Sequence, residues 1–91
     1  MKIDYKTLHD LGVEFERAKI KHSWVFMTAR DMVAALTSEF GEVLLAEKME
    51  DIHGAHGLRA ELLQVAVVAL RAYEALADWE DTDGKVVSRD V

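Results

Sequence analysis

Apolar residues recur at three- and four-residue steps through most of this chain, the spacing of helices that turn one face inward. The first such stretch runs from about Tyr5 to Ile20, with Leu8, Leu11, Phe15 and Ala18 on its stripe, Asp4 as its N-cap and an end near His22. The second runs from about Trp24 to Glu50 along Val25, Ala29, Met32, Leu36, Phe40, Val43 and Leu44. Gly54 and Gly57 then bracket a break, because glycine readily ends helices. The third stretch spans about Leu58 to Trp79 along Leu58, Leu62, Val65, Ala69, Ala72, Leu76 and Trp79. Between Leu62 and Leu70 it is apolar nearly all round, so it is expected to be the most buried element. Residues 80–91 carry Asp83-Gly84 and several charges and read as a turn and a frayed, flexible tail.

Two long helices joined by a short link form an antiparallel hairpin, and the first, shorter helix adds to it. The expected fold is therefore all-α, a single helical domain over residues 1–79. So small a unit buries little surface against its backbone entropy, and the third helix is apolar over a wider arc than one partner covers. Self-association into a four-helix-type bundle, most simply as a symmetric dimer, is the expected remedy. A monomeric three-helix bundle is the alternative.

Composition narrows the function. Proline is absent, as suits long helices. A formal net charge of −6 leaves no basic stripe to displace counterions from a nucleic-acid polymer. The lack of cysteine excludes disulfides and thiolate metal sites. With no apolar leader at the N-terminus and no stretch long enough for a bilayer, the expected setting is the cytoplasm, away from membranes.

Against that background, Glu39-Phe40-Gly41-Glu42 and Glu61-Leu62-Leu63-Gln64 stand out, because they set carboxylates inside apolar helical patterns. A carboxylate beside a core must be hydrogen-bonded, paired or metal-bound. Glu39 and Glu42, three apart, share a helix face at about 5–6 Å between Cβ atoms, where like charges repel. An antiparallel hairpin brings both acidic pairs to one level of the bundle. Three carboxylates and the Gln64 amide oxygen make an all-oxygen donor set, which suits Mg2+, or Mn2+ in its place, and leaves room for a phosphate-bearing ligand.

The stretch Leu36-Thr37-Ser38-Glu39-Phe40-Gly41-Glu42-Val43 resembles the first acidic motif, E-E-x-x-E, of the MazG-like all-α nucleoside triphosphate pyrophosphohydrolases. Glu61-Leu62-Leu63-Gln64-Val65-Ala66 sits where that family carries its second motif, E-x-x-D, with 18 residues between Glu42 and Glu61. The likeness covers residues 34–76, helix, break and helix included. It implies a magnesium-dependent hydrolase of acid anhydrides that cleaves the α–β bond of nucleoside triphosphates or related nucleotides, in nucleotide-pool sanitation, as a homodimer or homotetramer. Carried over residue by residue, Glu39, Glu42 and Glu61 become the catalytic metal ligands, and Gln64 completes the shell. Two positions depart from the family: Ser38 replaces the first glutamate, and Gln64 replaces the aspartate, so this position brings an amide oxygen without charge.

Lys48, Arg59 and Arg71 are candidates to meet phosphate oxygens, against the plainer reading of solvated helix-face charges. Trp24 and Phe26 could stack on a base, against the plainer reading of core or interface packing. His53 and His56 flank Gly54 but lack the further ligands of a zinc site. Glu47 and Asp51 could extend the acidic cluster or pair with Lys48. The five glycines are scattered, so no phosphate-cradling loop competes. Two other function classes stay open: a non-catalytic helical dimer that binds nucleotide or a protein partner, motivated by Ser38 and Gln64, and an interaction module built on the broad apolar face of the third helix.

Overall fold

A computed structural model describes residues 2–22, 26, 28–77, 79–82 and 85–88, the last two stretches by their backbone. Three helices make up the fold: α1 (Tyr5–Lys21), α2 (Ala29–Lys48) and α3 (Leu58–Ala77). Asp4 stands at the N-cap of α1 and His22 at its C-cap, as the pattern predicts; the Asp4 side chain makes no capping hydrogen bond, and its carbonyl receives the Leu8 N–H instead.

The second helix starts later than its apolar stripe suggests. Thr28 is in extended conformation (φ −141°, ψ 160°), and its Oγ1 accepts from Asp31 N–H at 3.1 Å. That bond satisfies one of the unpaired donors of a helix start, so Thr28 caps α2 and Phe26 lies before the helix. At the far end, Glu50 takes a left-handed conformation (φ 56°), the turn that usually falls to glycine after a helix.

Residues 49–57 link α2 to α3, and Asp51 organises the link. Its N–H donates to Ala46 O, its Oδ1 accepts from Gly54 N–H at 2.8 Å, and its carbonyl accepts from Leu58 N–H at 2.7 Å. A Cβ at Gly54 would lie 2.5 Å from Asp51 Oδ2, and one at Gly57 would lie 2.7 Å from Asp51 Oδ1. Space requires glycine at Gly57, where the backbone N of Gly54 also stands at 2.8 Å, while a side chain at Gly54 would displace the Asp51 carboxylate that its own N–H binds.

α2 and α3 pack as an antiparallel pair. Met32 and Ala35, early in α2, share a buried cluster with Val68, Ala72 and Ala75, late in α3, and Phe26 closes that end. Val67 is the most completely buried large side chain among the described residues, at 1 % exposure. α1 packs on α3, and Arg71 Nη2 ties the two by donating to His22 O at 3.0 Å while its guanidinium lies over the Phe26 ring at 5.7 Å.

The inward face of the helices differs from the one the stripes suggest. On α3, Ala72 is buried and Leu58 and Val65 are half-buried, but Leu62, Ala69 and Leu76 are exposed; the core runs through Glu61, Val67, Val68, Ala72 and Ala75. On α2, Met32 and Val43 are buried, whereas Phe40 and Leu44 stand 54 % and 56 % exposed. The apolar arc is wider than a single chain uses. α3 is consequently not sealed all round, for its apolar stretch surfaces at both Leu62 and Leu70.

The tail is not simply frayed. Trp79–Thr82 (β1) and Lys85–Ser88 (β2) pair antiparallel, Trp79 opposite Ser88 and Thr82 opposite Lys85. Among the described residues no helix is long and apolar enough to cross a membrane.

Candidate functional site

The antiparallel packing carries the end of α2 past the start of α3, which brings the two acidic segments together. Glu39, Glu42, Glu61 and Gln64 all line one cleft of about 570 Å3. The opposite wall comes from α1, where Glu14, Arg17, Ala18, Lys21 and His22 recur at three- and four-residue steps. His56, from the link, closes one end.

Burial differs sharply among the carboxylates. Glu61 is 6 % exposed, the one buried charged residue among those described, and its Oε1 lies 3.4 Å from His56 Nδ1. Glu39 is half-buried and Glu42 is exposed. Burial pushes the Glu39 carboxyl above its usual range; the Glu61 and then the Glu42 carboxylates push it further, and His22 pulls weakly the other way. Glu39 therefore senses both other acids, Glu42 on its own helix and Glu61 on the facing one. The cost of charging all of them together is the one a bound cation removes.

In chemistry the donor set suits a hard dication: three carboxylates, one amide oxygen and no sulfur. In geometry the acids share a cleft, but among the described residues no three His, Asp or Glu side chains converge at ligating spacing.

The basic residues of the cleft are not those the sequence singled out. Arg17 and Lys21 lie on the α1 wall, Arg17 paired with Glu14 at 2.8 Å. An exposed pair of this kind contributes little to stability, so a more highly charged anion can draw the guanidinium away. Lys48 is exposed in the last turn of α2, Arg59 lines a separate cleft, and Arg71 is engaged with His22 and Phe26; none of the three lines the acidic cleft. Trp24 lies outside the described residues. Glu47 is exposed, and Asp51 serves the link, so neither extends the acidic wall. Of the two histidines, His56 reaches Glu61, while His53 lines the other cleft.

The contribution of α1 was recoverable only in part from the chain. The i, i+3, i+7 spacing of Glu14, Arg17 and Lys21 marks one polar face of the helix, but which element that face opposes depends on how α1 docks.

Comparison with protein-family models, curated proteins and solved structures finds no significant match to this chain. The functional reading of the cleft therefore rests on its own residues.

Proposed function

We propose that the protein is a magnesium-dependent nucleotide pyrophosphohydrolase that cleaves the α–β phosphoanhydride of nucleoside triphosphates or related nucleotides. The observation that carries this reading is the cleft itself, with Glu39, Glu42, Glu61 and Gln64 on one wall and Arg17, Lys21 and His22 on the other. An acidic wall facing one that carries Arg17 and Lys21, Arg17 paired with Glu14, suits a cation–polyphosphate complex and suits neither component alone as well.

In this reading Glu39, Glu42 and Glu61 hold Mg2+ or Mn2+ through carboxylate oxygens, and Gln64 adds its carbonyl oxygen. The ion, when bound, supplies charge neutralisation for the polyphosphate. Arg17 and Lys21 hold phosphate oxygens from the α1 side, with Arg17 exchanging Glu14 for the ligand. Gln64 and His56 line the space beside the acids and orient a water for attack on phosphorus by hydrogen bonding. Hydrolysis leaves a monophosphate and pyrophosphate, with no covalent intermediate on the protein. Such an activity belongs in the cytoplasm, with the nucleotide pool.

The reading takes the active form as a homodimer or homotetramer in which the hairpins of two chains complete a four-helix bundle. The exposed Phe40 and Leu44 on α2, and Leu62, Tyr73 and Leu76 on α3, support that assembly as apolar surface left without a partner in one chain.

Incubation with a nucleotide panel and Mg2+ is expected to release pyrophosphate, and Glu42→Gln to lower the rate at least ~100-fold. Glu42 is exposed, so the variant folds normally. Equal silence of folded wild type and variant overturns the reading. The second reading, a nucleotide-binding dimer without turnover, draws on Ser38 and Gln64 and on the absence of ready-made ligating spacing among the described residues. It gives thermal stabilisation by nucleotide with no product from wild type, and a large gain of hydrolysis in Gln64→Asp would then mark the site as a decayed or retuned enzyme.

A further inference from the structure

A second cleft lies on the other side of α3's first turns, with Ala60 as the wall it shares with the acidic one. It measures about 480 Å3, within the range of small-molecule sites. Its lining combines an apolar surface with a few polar groups. Leu11 of α1 and Leu62, Leu63 and Ala66 of α3 make the apolar part, Leu62 at the exposed edge that the dimer reading also draws on. Arg59 and His53 contribute donors, and Asp10 contributes a carboxylate. Arg59 is held by its backbone, whose N–H donates to Ile52 O at 3.0 Å; its side chain is exposed and among the described residues forms no ion pair with Asp10.

From this combination we infer that the cleft is a binding site for an amphipathic monoanion, a small molecule with an apolar body and a single carboxylate. The apolar body lies against Leu11, Leu63 and Ala66, and the carboxylate takes the two parallel donors of the Arg59 guanidinium. Asp10 sets the charge limit: one negative group is compensated by Arg59, and a second meets the Asp10 carboxylate. The site is thereby distinguished from the acidic cleft, whose ligand is multiply charged and arrives with a cation. It does not depend on the hydrolase reading.

Titration of the full chain with 3-phenylpropionate, followed by amide chemical shifts, tests the site. The expected result is a cluster of shifts at Leu11, Arg59, Leu63 and Ala66, with the acid bound about tenfold more tightly than 3-phenylpropan-1-ol. Arg59→Gln is expected to erase that preference, and Thr7→Trp, an exposed position at the rim, to block both compounds. The dicarboxylate phenylsuccinate, doubly charged at neutral pH, is expected to bind more weakly than the acid. Shifts centred on Glu39 and Glu61, equal binding of acid and alcohol to wild type, or tighter binding of the dicarboxylate overturns the proposal. The comparison of acid with alcohol uses wild type alone, so it stands even where a variant fails to fold.

Discussion

Glu39 concentrates the electrostatic tension of the cleft. Its carboxyl is raised above the ordinary value of 4.5 by burial and by two neighbouring acids. The sign follows from linkage: a folded-state pKa above the unfolded one means that the folded protein holds the proton more tightly. The resulting stability is present below about pH 4.5 and is lost as pH rises through the raised folded value. Glu39→Gln is accordingly expected to raise the melting temperature at pH 7 and to leave it nearly unchanged at pH 4, read by thermal melts at both. A variant that melts below wild type at pH 7 contradicts this account. The acidic residues themselves were legible in the chain, because a carboxylate in an apolar helical pattern needs a reason. Arg17 and Lys21 were not, since nothing in a run of ordinary surface charges says which of them a neighbouring helix will face. Lys48 and Arg71 illustrate the same gap from the other side, as plausible cations whose docking takes them elsewhere.

Helix ends were legible where a side chain or a glycine acts locally. Gly54 and Gly57 mark the break between α2 and α3 through a few neighbouring residues, whereas Asp4 stands at the start of α1 without a side-chain cap. The start of α2 depends instead on the Thr28 hydroxyl outcompeting a stripe that extends further back. Thr28→Ala is expected to cost about 1 kcal/mol in urea denaturation, and Thr28→Ser to cost much less. Equal losses for the two would assign the effect to packing and not to the cap. The hairpin after α3 was half legible. Asp83-Gly84 reads as a turn and lies outside the described residues, and the antiparallel pairing runs up to Thr82 opposite Lys85 on either side of it. The flanking residues lack the alternation that signals strands, so periodicity gave no sign of them.

For the molecule as a whole, helix periodicity was enough for an all-helical core and an antiparallel α2–α3 pair. It was not enough for which part of a wide apolar arc turns inward. The exposed set on α2 and α3 is the difference between what the pattern supplies and what one chain buries. Under the dimer reading, Phe40→Glu sets a charge on that surface and is expected to convert the dimer to monomer in sedimentation or light scattering, with helicity retained. If wild type is itself monomeric at tens of micromolar, the oligomer part of the reading fails and the three-helix alternative holds.

The Asp51 link has a kinetic consequence as well. Residues 49–57 fold back through hydrogen bonds among near neighbours, so closing this loop costs little entropy and the contacts it unites are close in sequence. α2 and α3 are therefore expected to meet early in folding and α1 to dock onto the pair afterwards, an order that φ-values near zero for α1 substitutions would bear out. The acidic wall comes into being with its charges facing water, and its basic counterpart arrives afterwards.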